Sequence, residues 1–169
     1  MVLAHVVEGL VAYGDDLKIK PVLAESWQVS DDGKVYEFKL RPKVHFQNGS
    51  VLTADTVVWN FKRYLDPKTN FQCVNRYNGK IGPALQDVQA VDPLTVRFTF
   101  SAPAPNFPMT MATVQCTPWI LHPDSLKADG SFNAPIGTGP YAFGGMMQGR
   151  QPVSYTHPPS PRDLSTSRM

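Results

Sequence analysis

Residues 23–61 read LAESWQVSDDGKVYEFKLRPKVHFQNGSVLTADTVVWNF, and the fold turns on them. Trp27 and Val29 alternate with Gln28, the period of a half-buried strand. Ser30-Asp31-Asp32-Gly33 is turn chemistry, with Gly33 free to take a positive φ. Tyr36, Phe38 and Leu40 then alternate with Glu37 and Lys39, so a second strand carries one apolar face. The two strands form a hairpin. Thr53 stands where a helix N-cap belongs, with Asp55 in the first turn. Ala54, Val57, Val58, Phe61, Tyr64 and Leu65 follow at helical spacing as one apolar stripe, and Pro67 stops the helix.

The same pattern extends outward. The residues of 88–91, Asp92-Pro93 and those of 94–100 form another hairpin, with Leu94, Val96, Phe98 and Phe100 on one face and Pro93 suited to the second position of a type I turn. Val44 and Phe46 flank His45 as a short strand before the Asn48-Gly49 turn. A mainly antiparallel sheet with the 53–65 helix on its apolar face follows, an α+β arrangement. Residues 3–10 read as the end of a helix with Gly9 near its C-terminus. Gly14-Asp15-Asp16 is a turn, and 18–21 an extended link. A short helix is expected over 107–114, with Met109 and Met111 in the core, and a short buried strand over 118–121. Residues 151–169 are rich in proline and serine, show no period and are expected to form no core element; they resemble a non-native, disordered tail.

The run from Pro21 to Pro67, with its PxLAxSW opening, S-x-DG turn, V-x-F-x-NG segment and ADTVVWNFKRYLDP helix, resembles the extracytoplasmic solute-binding proteins of peptide and nickel ABC importers, the family 5 group. Two further matches support it: Val7-Glu8-Gly9-Leu10, and Asn133-Ala134-Pro135-Ile136-Gly137-Thr138-Gly139-Pro140-Tyr141. The resemblance fades after about Phe143. It implies a periplasmic-binding-protein-like fold (type II, cluster C-like), of which the chain is the N-terminal part. The lobes expected are 1–20 for the start of a larger lobe, 21–133 for a smaller lobe and 134–150 for the return to the larger one. Family members are much longer and carry export signals. The opening Met1-Val2-Leu3 shows no charged n-region or cleavage site, so the chain is expected to be a fragment, with one wall of the cleft missing and no tight ligand binding by itself.

Composition sets the remaining bounds. The chain has 169 residues, 42% of them hydrophobic, and a net charge of +2. That suffices for a real core and gives no argument for a nucleic-acid partner. No apolar run approaches the roughly 18 residues of a membrane span. Cys73 and Cys116, the two cysteines, could pair in an oxidising compartment or both stay free.

Nothing catalytic emerges. No serine sits in a GxSxG elbow, no HExxH, CxxC or Walker loop occurs, and Asp31-Asp32 is a turn pair. His45 lacks a second histidine at metal spacing. The resemblance implies capture of a peptide or a nickel chelate outside the cytoplasmic membrane, without cofactor or bound metal, by a monomer that docks on an ABC permease. A sensory protein built on the same domain, and an unrelated α+β hydrolase, are the alternatives. The 68–83 loop and the 114–121 segment are the less patterned stretches, and the cleft-side candidates are Tyr13, Phe71, Tyr77, Gln115, Cys116 and Trp119. Gly137, Gly139 and Pro140 are read as hinge or structural residues, because two glycines and a proline fix an unusual backbone path. Family members that hold nickel chelates use an arginine; 114–121 has none, which favours peptide.

Overall fold

A computed structural model describes residues 6–143 and the backbone of 154–156. Two compact units emerge. One comprises Gly9–Val44 and Leu52–Ile120; the other comprises Met1–Glu8, His45–Val51 and Leu121–Met169. The first unit begins and ends earlier than the 21–133 span, and 45–51 falls in the second.

The first unit opens with strands β1 (Val11–Tyr13) and β2 (Ile19–Pro21), paired antiparallel with Val11 opposite Pro21. Strands β3 (Ala24–Val29), β4 (Val35–Leu40), β5 (Leu85–Asp92) and β6 (Thr95–Phe100) form an antiparallel sheet in the order β3-β4-β6-β5. Helix α1 (Ala54–Leu65) rests on β5 and β6. The short helix α2 (Phe107–Ala112) follows the sheet.

Each hairpin is closed by the turn residues its sequence supplies. Gly33 sits at φ +69° and its N–H donates to the Ser30 carbonyl at 2.8 Å. The Asp32 carboxylate accepts from the Ser30 hydroxyl at 2.5 Å and the Lys34 N–H at 3.1 Å. The Ser30 hydroxyl is the chief reason that Asp32 ionises below the usual aspartate range. In the second hairpin, Asp92 accepts the Leu94 N–H at 2.8 Å around Pro93.

The alternation in β4 and β6 builds the core. Tyr36, Phe38 and Leu40 are buried from β4; Val96, Phe98 and Phe100 are buried from β6. Phe61 of α1 meets Phe98 with ring centroids 4.7 Å apart, and Phe107 of α2 meets Phe98 at 5.1 Å and Phe100 at 4.7 Å. Most of these contacts are edge-on or tilted, the geometries that aromatic quadrupoles favour. The Tyr36 hydroxyl reaches the Ala104 carbonyl at 2.8 Å, which satisfies its polar end inside the core.

Several expectations change. In β3, Val29 is 51% exposed and Trp27 only half-buried, stacked on Phe38 at 5.7 Å. β3 is an edge strand, and α1 covers β5 and β6 on the other side of the sheet order. Thr53 has the extended N-cap backbone, but its side chain makes no capping bond; its hydroxyl lies 3.3 Å from that of Thr56. The buried stripe of α1 includes Asn60, whose amide donates to the Thr56 carbonyl at 2.9 Å. Met111 is in the core as expected, whereas Met109, two positions earlier on the helix, is 49% exposed. Residues 118–121 are mostly buried but form a single bridge position at Ile120 rather than a strand. Pro118 cannot donate to a ladder. The expected strand at 44–46 is one bridge, His45 to Val51, closing the Asn48-Gly49 turn.

The second unit gathers around Val6 and the 135–141 run. Residues 6–10 are not helical, and residues 3–5 of the expected helix end lie outside the described residues. The Val6 carbonyl instead accepts the Gly139 N–H at 3.0 Å and the Gln47 side-chain amide at 2.8 Å. Strand β7 (Tyr141–Phe143) pairs antiparallel with β8 (Ser154–Thr156). β8 places one short strand within 151–169, where no core element was expected; its Ser-Tyr-Thr run carries two residues with good strand propensity. The rest of that stretch lies outside the described residues.

Candidate ligand-facing wall

Five of the six cleft-side candidates converge in the first unit. Phe71, Tyr77, Gln115, Cys116 and Trp119 come from the 68–83 loop and the 114–119 segment, which a Cys73–Cys116 disulfide joins with Cα atoms 5.3 Å apart. The question the sequence left open is thus settled in favour of pairing. Helix α1 anchors both pieces. Its Phe61 contacts the Tyr77 ring at 6.4 Å, its Tyr64 contacts Phe71 at 4.7 Å, and Phe71 contacts Tyr77 at 6.0 Å. The Tyr64 hydroxyl donates to the Trp119 carbonyl at 2.8 Å, and the Tyr77 hydroxyl donates to the Cys116 carbonyl at 3.2 Å.

Burial divides these residues. Tyr77 is 2% exposed and Cys116 5% exposed, so both lie beneath the surface they support. Gln115 is exposed, and Phe71 and Trp119 are half-buried, so these three keep solvent-accessible surface. Tyr13, the sixth candidate, stands on a different element, at the end of β1 opposite Ile19, and is 40% exposed.

Sequence reasoning did not single out Tyr64 or Arg63. Tyr64 was legible only as one more member of an apolar stripe, because nothing in the sequence says where its hydroxyl points. The Arg63 guanidinium lies 5.2 Å from the Tyr64 ring centroid and 5.9 Å from that of Trp59, within cation–π range.

Burial pushes the Tyr77 phenol well above its ordinary value of 10.0, and burial also raises Tyr64. A group whose folded value is raised contributes stability that is complete below the unfolded value and is lost as pH rises through the folded one. The thermal midpoint is therefore expected to stay level from neutral pH to about 9 and to fall above about 10. The Tyr77→Phe variant should show a shallower alkaline fall relative to its own neutral-pH midpoint. Equal slopes in the two proteins would rule out Tyr77 as a source of the effect.

In the second unit, Gln47 holds the glycine-rich run. Its backbone N–H donates to the Gly137 carbonyl at 2.9 Å and its side-chain oxygen accepts the Gly137 N–H at 2.8 Å. Its amide nitrogen also lies 3.1 Å from the Gly139 carbonyl and 2.8 Å from that of Tyr141. Gly137 and Gly139 are buried, while Pro140 is exposed. The Thr138 hydroxyl donates to the Glu8 carboxylate at 2.7 Å. This arrangement orders the backbone of the run. Among the described residues, no group of three His, Cys, Asp or Glu side chains could hold a metal ion, and no helix is long and apolar enough to cross a membrane.

Residues 18–158 match the family model described as bacterial extracellular solute-binding proteins, family 5 Middle. The glutathione-binding protein GsiB of Escherichia coli (strain K12) is 36% identical over 136 residues, covering 79% of this chain and 25% of that protein. Among solved structures, the protein AgaA in complex with agropinic acid, from A.tumefacien R10, superposes with a TM-score of 0.80 at 32% identity, over 92% of this chain and 30% of that one. NikA from Brucella suis, in complex with Fe(III)-EDTA, gives a TM-score of 0.72 at 32% identity, over 90% of this chain and 30% of that one. The chain thus spans about a quarter of the length of the curated relatives it matches. Its fold is the α+β N-terminal part of a periplasmic binding protein. The chain belongs to the bacterial extracellular solute-binding proteins of family 5.

Proposed function

We propose that the complete protein is the substrate-binding component of an ABC importer, capturing its ligand outside the cytoplasmic membrane and delivering it to a permease. The observation that carries this reading is the family match over residues 18–158. The mechanism is binding: two lobes close on the ligand, and the closed form docks on the permease. In this reading 21–133 is the smaller lobe. The 134–140 run carries the chain between lobes, with Gly137, Gly139 and Pro140 setting its path. Gln115, Trp119 and Phe71 face the cleft, with Tyr77 and Cys116 supporting them from below.

The ligand favoured is a peptide. The 114–121 segment offers no arginine for a metal chelate, and GsiB, similar over most of this chain, is named for glutathione, itself a small peptide. Calorimetric titration of the complete protein with glutathione, di- to pentapeptides and a nickel–histidine complex tests the reading. Binding of a peptide in the micromolar range or tighter is expected. Binding of the nickel complex with no peptide response would overturn the choice of ligand, and no response to any of them would overturn the class.

A further inference from the structure

The 68–83 loop and the 114–119 segment contain little structure able to hold itself in place. Their helical pieces are 3-10 turns of three residues, Pro67–Thr69, Val74–Arg76 and Val114–Cys116, and the loop adds a single bridge from Asn78 to Ala84. Turns this short have poor hydrogen-bond geometry and gain no cooperativity from length. Their order must come from tertiary ties. Two are the hydroxyl bonds from Tyr64 and Tyr77 to the carbonyls of Trp119 and Cys116. The third is covalent. Cys73 and Cys116 stand 43 positions apart, so their bond closes a long loop that contains β5, β6 and α2. Cys73 Sγ also lies 3.6 Å from the Gln115 carbonyl oxygen; a disulfide sulfur carries no proton, so this is a close contact rather than a hydrogen bond.

We infer that the Cys73–Cys116 disulfide is a positioning device: it fixes the 114–119 wall against the 71–77 loop, and the order of that wall depends on an oxidising environment. The inference rests on the ligand-facing role assigned above to Gln115, Phe71 and Trp119. Forming the bond takes two electrons and two protons from the Cys73 and Cys116 thiols, and a disulfide-carrying oxidant accepts them by thiol–disulfide exchange. Dithiothreitol reverses the step, closing its own two thiols into a cyclic disulfide. Because Cys116 is 5% exposed, attack by a reductant is expected at the Cys73 sulfur, whose residue is half-buried. The freed Cys116 would then leave the wall without its covalent tie to the loop, held only by the two tyrosine hydroxyl bonds and by side-chain packing.

Alkylation and amide hydrogen exchange, both read by mass spectrometry on the complete protein, test this. Without reductant, neither Cys73 nor Cys116 should be alkylated. After dithiothreitol, and in the double variant Cys73→Ser with Cys116→Ser, peptides covering 71–77 and 114–119 should exchange roughly tenfold faster or more, while those from β4 and β6 keep their rates. Free thiols in the unreduced protein would overturn the inference. So would unchanged exchange in the two loops, or an equal rise in β4 and β6, which would make the bond a global staple. Ligand binding does not enter the exchange measurement. An incorrect ligand class would show only in the titration, with the exchange pattern intact.

Discussion

Replacing Phe98 with alanine is expected to destabilise the first unit by about 3–5 kcal/mol, the usual range for emptying an aromatic site in a core. Phe98 is fully buried, and its ring lies within 5.5 Å of the ring centroids of Phe38, Phe61 and Phe107. Those neighbours come from β4, α1 and α2, so the substitution removes a ring that touches all three elements. Packed rings held from three directions cannot collapse into the space, and the cavity term adds to the lost transfer energy. For a chain of this size the loss corresponds to a fall in thermal midpoint on the order of 10 °C. Phe132→Ala is the control, since Phe132 is 54% exposed and should change the midpoint little. If Phe98→Ala melted with the parent protein, the interlocked aromatic core would be refuted.

Gly137→Ala should destabilise the second unit by about 3 kcal/mol, the upper end for overpacking. A Cβ at this position would fall on the Val6 carbonyl oxygen, 2.9 Å from its carbon and 2.8 Å from Val7 Cγ1. Backbone cannot rotate away as a flexible side chain can. Moving Val6 would also break the bonds its carbonyl accepts from Gly139 and Gln47. The damage should be local: exchange at the Gly139 amide rises sharply, while β4 and β6 keep their protection. Gly130→Ala separates crowding from backbone strain, because Gly130 has φ +80° and open space where its Cβ would go. A Gly137→Ala protein with undisturbed Gly139 exchange would show that the close approach is not needed.

The sequence could not have ranked these two sites. Phe98 was one of four apolar residues alternating along a strand, and Gly137 one of two glycines in a short run. The alternation of Tyr36, Phe38 and Leu40 identified a buried face because a strand sends successive side chains to opposite sides. It carried no information about which neighbours would meet there. In β3 the same reasoning failed at Val29, since exposure on an edge strand depends on what covers the sheet. The candidate wall divided in the same way. Loop position and residue type brought out Phe71, Tyr77, Gln115, Cys116 and Trp119, but their burial and the disulfide beneath them were not readable. Both depend on a loop and a segment some forty positions away meeting in space.

What the sequence determined by itself is local: the Ser30–Gly33 and Asp92–Leu94 turns, the strand and helix periods, the end of α1 before Pro67, and the family written in those features. Each depends on residues a few positions apart, where side-chain chemistry acts directly on its own backbone. Only the tertiary structure decided that Tyr64 and Tyr77 reach the carbonyls of Trp119 and Cys116, that Cys73 is bonded to Cys116, and that Gln47 ties together Val6, Gly137, Gly139 and Tyr141. These are long-range pairings, and their geometry follows from how the packed elements bring distant groups within bonding distance.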